Sequence, residues 1–391
     1  MNIRTIFQLI FFVCIKQIAC AQTFTPGESY FGTHGYIEYL PGTLPFIISV
    51  PHGGYLEPAI MPDRTCGDAV YVNDAYTQEL GRAIYQSVYE EFGCYPHMVI
   101  NLLDRAKMDA NRNFADGACD NDSAQQAWQD FNNFLDSAEA KVLADYGRGL
   151  YIDLHGHGHT IQRLELGYLL YADELQLSDA TLNAEPYVGY SSIQNLVATN
   201  AMGNTHAELL RGNNALGTLF DVAGYPSVPS QSDPFPAAAD PYFSGGYNTV
   251  ERSSYSGGTI DGVQIECNMN GVRNTADNRA RFADSLASVV HHYLTLHIFP
   301  DGLNDCGQTT TIQSTSTNNA AEFVLTQTNS NWIVYAEGET AQVYDISGRL
   351  IFTGQMYNQS LNIDVQDWPA GVYLVTVRNA DMPIAQQLIV R

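Results

Sequence analysis

Between Phe46 and Tyr293, short apolar runs of strand length alternate with segments whose apolar residues recur at helical spacing. That alternation restricts the chain to a sheet covered by helices. The first run is Phe46-Ile47-Ile48-Ser49-Val50, and the spacing of Leu80, Ala83, Ile84 and Val88 predicts a helix from about Asn73 to Phe92. A strand around Met98 to Leu103 leads to a long helix from about Ser123 to Tyr146, where Trp128, Phe131, Leu135, Ala138 and Val142 make one apolar face. Leu150 to Leu154, Glu165 to Tyr171 and Gly262 to Cys267 read as further strands, and a closing helix aligns Phe282, Leu286, Val289, Val290 and Tyr293. Continuous apolar strands between helices are buried on both faces, so the expected class is α/β with a mixed, largely parallel sheet flanked by helices. In such sheets the working residues gather at the carboxyl ends of strands.

The pattern changes after about Cys306. Residues 306–321 are a polar tract rich in Thr, Ser and Asn that reads as a linker, which makes 22–305 the first domain. Beyond it, Glu322 to Leu325, Trp332 to Tyr335, Ala341 to Tyr344, Leu350 to Thr353, Leu361 to Val365, Gly371 to Val377 and Gln386 to Val390 are short strand-like runs parted by turns, so 322–391 is expected to be a small all-β sandwich. At the other end, Arg4, the apolar stretch from Ile6 to Ile15 and Ala19-Cys20-Ala21 mark residues 1–21 as a signal peptide. A lipoprotein signal through Cys20 is the alternative, with Gln17 standing where such signals carry an aliphatic side chain. No later stretch is long and apolar enough for a transmembrane segment.

Loss of the signal peptide removes two cations and no anions, leaving 42 acidic against 16 basic residues. Nucleic acid and anionic membranes are therefore excluded as partners, since little in this chain can neutralise phosphates. Five cysteines remain (Cys66, Cys94, Cys119, Cys267 and Cys306), an odd number that permits disulfides and leaves at least one free thiol. No Cys-x-x-Cys pair, Gly-x-Ser-x-Gly elbow, Walker loop or dinucleotide fingerprint occurs, which removes serine-hydrolase and nucleotide-binding readings.

Two strand-like runs end in histidine: His52 in Val50-Pro51-His52-Gly53-Gly54 and His155 in Asp153-Leu154-His155-Gly156. Zinc hydrolases commonly use three protein ligands and leave a fourth position for water, so these two imidazoles are the first candidates for a metal site. A carboxylate near His52 should complete it. Glu57, Asp63 and Asp74 are in range, and Asp74 is preferred because a helix start beside a strand end returns its side chain to the site. Asp153 shares a strand face with His155 and is placed to orient it. His157 and His159 continue the alternation. A site built from His155, His157 and His159 alone would be crowded, and His157 is assigned to the substrate pocket. Glu266 ends a strand with no other charge and is suited to move a proton between water and a leaving amine. Arg105, Asn111, Arg112 and Arg163 are candidates for binding a substrate carboxylate, with Arg273 a further one. The Pro-, Ser-, Gly- and Tyr-rich segment from Gly224 to Asp261 reads as a long loop placed to cover a pocket.

Taken together, Ser49-Val50-Pro51-His52-Gly53-Gly54, Asn73-Asp74-Ala75-Tyr76-Thr77, Arg105 with Asp109-Ala110-Asn111-Arg112, Asp153-Leu154-His155 and Gln264-Ile265-Glu266 resemble the N-formylglutamate amidohydrolase family, relatives of the zinc carboxypeptidases. The resemblance spans about Leu40 to Leu296. It implies a zinc-carboxypeptidase-like fold, one Zn2+ ion on His52, Asp74 and His155, carboxylate recognition by Asn111 and Arg112, and Glu266 as general base. One departure is the absence of a His-x-x-Glu spacing, since Tyr55 follows at that position, and this leaves Glu57 as the alternative acidic ligand. The tail, through Val343-Tyr344-Asp345-Ile346-Ser347-Gly348-Arg349 and Gly371-Val372-Tyr373-Leu374, resembles the C-terminal sorting domain of the type IX secretion pathway. The expected protein is a secreted or cell-surface zinc amidohydrolase acting on an N-acyl amino acid or peptide that carries a carboxylate, with the secretion machinery as its partner. A non-catalytic peptide or glycan binder is one alternative, and an esterase or deacetylase on the same metal is another.

Overall fold

The computed structural model describes residues 24–67 and 69–303, and between 324 and 390 the strands with residues 349, 356, 365 and 368. The expected signal peptide over 1–21 and linker over 306–321 lie outside the described residues. The chain divides into two compact units, Met1–Thr309 and Thr310–Arg391.

The first unit is built on one sheet of eight strands: β1 (Tyr30–Phe31), β2 (Ile37–Leu40), β3 (Phe46–Val50), β4 (His97–Asn101), β5 (Gly149–Gly156), β6 (Leu164–Gly167), β7 (Ser227–Val228) and β8 (Ile260–Cys267), in the order β1-β2-β4-β3-β5-β8-β6-β7. The four central strands β4, β3, β5 and β8 are parallel, β2 and β6 run antiparallel on either side of them, and β7 pairs in parallel with β6. Phe46, Ile48 and Val50 point to one face and join Leu150, Ile152 and Leu154 in a core with Leu80, Ile84, Val88, Phe282, Leu286 and Val290. Ile47 and Tyr151 point to the other face and pack with Ala127, Phe131, Leu135, Ala138 and Val142. Strand residues of alternate parity thus fill two apolar layers, which is why the strands lack an exposed polar face.

Three long helices supply those layers, and their ends follow from their sequences. Thr77–Phe92 stops at Gly93, which takes a left-handed φ of 72°. Asp122–Tyr146 starts where the Asn121 side chain accepts from Ala124 N, and Ala276–Tyr293 starts where Thr275 does the same for Asn278 N. Trp128 sits at the margin of the expected apolar face: it packs half-buried against that core, and its indole Nε1 donates to the Arg112 carbonyl at 2.9 Å. The strand expected over Glu165 to Tyr171 is confined to Leu164–Gly167, because Leu169 turns the chain with φ 67°.

The second unit has two antiparallel sheets, of β9 (Val324–Thr328), β10 (Asn331–Tyr335) and β13 (Ser360–Asp364), and of β11 (Thr340–Asp345), β12 (Leu350–Gln355), β14 (Gly371–Arg378) and β15 (Pro383–Val390). Ala341, Val343, Val375 and Val377 of one sheet share a core with Ile363 of the other.

A buried histidine makes the first unit sensitive to acid. His97 Nδ1 accepts from Tyr39 Oη at 2.9 Å and from Gly42 N at 3.2 Å, so the ring is neutral, and burial pushes its pKa down to about 3. The unfolded chain binds a proton near pH 6.5 that the native chain refuses until about pH 3, so stability is full above the first value and falls as pH drops between them. Urea denaturation at pH 7.5 and pH 5 should show a loss on the order of a few kcal/mol that is smaller in His97→Gln.

Candidate functional site

The order β4-β3-β5 means that the chain leaves β3 to one side, then returns to place β5 on the other. The crevice at the carboxyl ends of β3 and β5 is therefore the switch point where open α/β sheets bind ligands. His52 lies two residues past β3. Ser49, Tyr151, Asp153 and His155 share the face away from the Leu80 layer, and Glu266 is the register partner of His155 on β8. Glycine follows His52 for steric reasons, since a Cβ on Gly53 would lie 2.4 Å from Gln78 N. That contact lets the next loop fold back: Asp74 N donates to His52 O at 3.0 Å, and Asp74 O accepts from Thr77 N. Asp74 does not open the helix, as expected from sequence, but sits ahead of it, because Tyr76 adopts a left-handed φ of 68° and helical geometry begins at Thr77. Asn73 stays outside the helix too, with its amide donating to Gly54 O at 3.1 Å and Asp104 Oδ2 at 2.5 Å.

His52, Asp74 and His155 converge. Asp74 Oδ2 is 2.9 Å from His155 Nδ1 and 3.5 Å from His52 Nδ1, and one ligand atom from each residue falls within 4.8 Å of the others. These spacings bracket the ~3.3 Å edge of a tetrahedral set with bonds of about 2.0–2.1 Å. His52 Nδ1 is buried without a hydrogen-bond partner, the mark of an inward lone pair that wants a cation. Each ring is fixed from behind by a carboxylate, His52 Nε2 by Asp109 Oδ1 at 2.6 Å and His155 Nε2 by Asp153 Oδ2 at 2.9 Å. That is how histidine ligands are commonly oriented. The donor set of two imidazoles and one carboxylate therefore fits a zinc ion. Glu57 is exposed and absent from the cleft lining, and Asp63, 64% exposed, pairs with Lys107 at 2.7 Å, so only Asp74 among the acidic candidates reaches the two histidines.

The electrostatics agree with a cation at this point. Burial pushes the Asp74 carboxyl up, but the hydrogen bond from His155 and the nearby His52 imidazole outweigh it and hold the group well below the usual carboxylate range. Burial pushes the His155 imidazole down, and Asp153, Asp74 and Glu266 overcome that and raise it well above its ordinary value. Glu266 is itself pushed up to about 8, first by burial, with His155 opposing and Asp74 and Glu165 adding to the rise. Gln264 Nε2 donates to Glu266 Oε1 at 2.9 Å and fixes the carboxyl's position.

Asp109 is the residue that sequence reasoning passed over. It is fully buried, with Oδ1 on His52 and on Asn111 N, while Oδ2 meets Arg105 Nε at 3.0 Å, Arg112 Nε at 3.4 Å and Arg64 Nη2 at 3.6 Å. Arg64, also overlooked, is 2% exposed and donates to the carbonyls of Arg105, Val70 and Asp116. A Cys66–Cys119 disulfide closes these loops, and for a separation of 53 residues the entropy of loop closure gives it on the order of 4 kcal/mol. Cys94 is disulfide-bonded as well, and Cys267 is a buried free thiol. A buried aspartate two residues before Asn111-Arg112 was the only available signal, and its partner lies 57 residues away.

The remaining candidates separate. Arg105 and Arg112 line the cleft, and the Arg112 side chain is the more open of the two at 32% exposed. The Asn111 amide is committed to the site's frame: Nδ2 lies 3.1 Å from His155 Nε2, and Oδ1 accepts from Asn248 N at 2.8 Å. His157 lines the cleft with both ring nitrogens engaged, Nδ1 accepting from His159 N and Nε2 donating to Arg163 O. Arg163 does not face the cleft. Its guanidinium pairs with Asp233 at 2.7 Å and Asp240 at 3.4 Å, because the chain at that point pins the following loop. Arg273 is a frame residue, donating to the carbonyls of Cys267, His157 and Ala75, and its guanidinium lies where a Cβ on Gly156 would stand. The segment from Gly224 to Asp261 is less irregular than expected, containing β7, a helix at Tyr247–Arg252 and a turn at Ser254–Ser256. It does cover the site: Phe243, Gly245, Gly246 and Tyr247 wall a cleft of about 860 Å³ that also contains His52, Asp74, His155 and Glu266.

Residues 320–391 match the family model described as a secretion system C-terminal sorting domain, which indicates secretion to the cell surface or outside. Among the described residues no helix is long and apolar enough to cross a membrane. No curated protein matches the chain. Among solved structures, an N-formylglutamate amidohydrolase from Ralstonia eutropha is similar at 11% identity and a TM-score of 0.38, over 63% of this chain and 91% of that one. A DUF3244 family protein with an immunoglobulin-like β-sandwich fold from Bacteroides vulgatus is similar at 9% identity and a TM-score of 0.16, over 18% of this chain and 83% of that one.

Because Asp109 balances three arginines without solvent, Asp109→Ala should cost about 3–5 kcal/mol in urea unfolding. Asp63→Ala, which removes an exposed partner of Lys107, should cost less than about 1 kcal/mol in the same assay.

Proposed function

We propose that this chain is an exported zinc-dependent amidohydrolase that cleaves the amide bond of an N-acyl amino acid or peptide beside a free carboxylate. The observation that carries this reading is the unpartnered, buried Nδ1 of His52 turned toward Asp74 and His155 Nδ1, with Asp109 and Asp153 fixing both rings from behind. A zinc ion held there by His52, Asp74 and His155 would polarise the scissile carbonyl and lower the pKa of water. Glu266, on the same sheet face as His155 and lining the same cleft, accepts the proton of the attacking water and returns it to the leaving amine nitrogen. Burial raises the affinity of this carboxyl for a proton, which strengthens it as a base once it is ionised.

Recognition of the substrate carboxylate falls to Arg112. Arg105 already donates to Asp109 and to Val72 O, and the Asn111 amide accepts from Asn248 N, so these two residues set the geometry within which the Arg112 fork meets its ligand. The Arg112 carbonyl is itself anchored by Trp128. The sequence resemblance to N-formylglutamate amidohydrolases and the C-terminal sorting domain support the same reading, since together they describe a hydrolase delivered outside the cell.

Elemental analysis of the purified mature chain should find close to one equivalent of zinc, and chelation should abolish cleavage of N-acyl amino acids. His52→Ala and His155→Ala should lose the metal. Glu266→Gln should retain it while kcat falls by about 10²–10⁴. Activity indifferent to chelation, or a protein without stoichiometric metal, would sink the proposal. Parallel ester and acetamide substrates separate amidase from esterase or deacetylase chemistry.

A further inference from the structure

Arg112 lines the cleft from the segment that follows β4, whereas His159 and Phe243 line it from the loop after β5 and the segment after β7. The cavity of about 860 Å³ is sized for a ligand larger than an amino acid bearing a one-carbon acyl group.

The far wall is constructed with care. His159 and Phe243 stack with centroids 4.8 Å apart and planes at 17°. A single fully buried carboxylate, Glu165, fixes both partners: Oε1 lies 2.7 Å from His159 Nδ1, and Oε2 accepts from Phe243 N at 2.9 Å. Glu165 is the register partner of Glu266, so the stacked pair stands one strand beyond the proposed proton carrier. Tyr242 Oη donates to Leu166 O at 2.7 Å and holds the loop that carries Phe243. Phe243 nevertheless remains 44% exposed beside the cleft. A rigid aromatic face left open to a pocket is a platform for a second ring, because offset stacking adds attraction beyond the area buried.

These observations cannot be met by a metal reading of the neighbouring residues. His157, His159 and Glu165 lie close enough to hold an ion, but both nitrogens of His157 already have backbone partners.

The geometry points to an aromatic subsite on the acyl side of the scissile bond, formed by the stacked rings of His159 and Phe243. The substrate is then an N-acyl amino acid or dipeptide whose acyl part carries an aromatic ring, with the carboxylate of its amine part on Arg112. This rests on the proposed amidohydrolase for its orientation, though the subsite itself can be tested by binding alone.

Calorimetric titration of the full mature chain with phenylacetate, cyclohexylacetate and acetate should show phenylacetate binding at least about fivefold more tightly than its saturated analogue. Phe243→Leu keeps an apolar side chain at an exposed position and should erase that preference, as should His159→Gln. Equal affinity for the two six-membered rings, or a preference that survives both substitutions, overturns the subsite. In kinetics, kcat/KM for an N-phenylacetyl amino acid should exceed that of its N-acetyl counterpart by a similar factor, and the ratio should fall toward one in Phe243→Leu. Ring-selective binding without hydrolysis of either compound would leave the subsite standing and remove the amidohydrolase reading.

Discussion

A carboxylate without access to solvent, Asp109, is the point on which the first unit's functional geometry depends. Burial alone would push its proton affinity up, yet His52, Arg105 and Arg64 hold it well below the usual carboxylate range. Asp109 is thereby a permanent buried anion, and a buried anion must be surrounded by donors or expelled. The donors it gathers come from three stretches of chain: His52 after β3, Arg64 from the next loop, and Arg105 with Arg112 after β4. Satisfying one charge therefore fixes both the His52 ring and the Arg112 guanidinium at the cleft. The disulfide between Cys66 and Cys119 reinforces this arrangement from outside, because it ties together the loops that carry Arg64 and the Asp116 carbonyl.

His155 needs no such convergence of loops, since it sits with Asp153 at the end of β5. Strand residues two apart face the same way, so Asp153 and His155 are presented together, and Ser49 on β3 donates to Asp153 Oδ1 at 2.5 Å across the sheet. Asn248 adds a second donor to that oxygen from the covering loop, and its backbone N–H holds Asn111. The frame around His155 is thus a hydrogen-bonded layer spanning strand, neighbouring strand and lid. Side chains placed on strands in this way are held more rigidly than those on loops alone.

What could be read from sequence follows the same division. His52, His155 and Glu266 were visible because each ends a run of strand-like residues, and the two periodicities that identify strand and helix are local. Asp74 was found by proximity, although its helix begins later than the pattern suggested, since nothing in the sequence announces a left-handed Tyr76. Asp109, Arg64 and Asn248 were invisible in role because their partners lie 57, 45 and 95 residues away, and no periodicity encodes such pairings. The edge strands were missed for a different reason. β1 has two residues, and β2 carries Glu38, whose charge disguises a buried strand because it is neutralised by Arg82 and Ser29. The stretch between β6 and β7 folds into helices of four to seven residues, too short for a 3.6-residue period to register.

The two walls of the cleft rest on separate supports, and this bears on how the protein's specificity can change. The wall near Arg112 leans on Asp109, Trp128 and the disulfide-closed loops, so alterations there disturb His52 as well. The wall near Phe243 leans on Glu165 and on the contacts of its own loop with β6, none of which passes through His52 or Asp109. Additivity holds best between sites that share no partners. The position of Arg112 is therefore coupled to that of His52, whereas the Phe243 side chain has no support in common with them. Substitutions at Phe243 can reshape that wall while the charged network around Asp109 stays as it is, whereas substitutions at Asn248, which holds both Asn111 and Asp153, reach across the cleft.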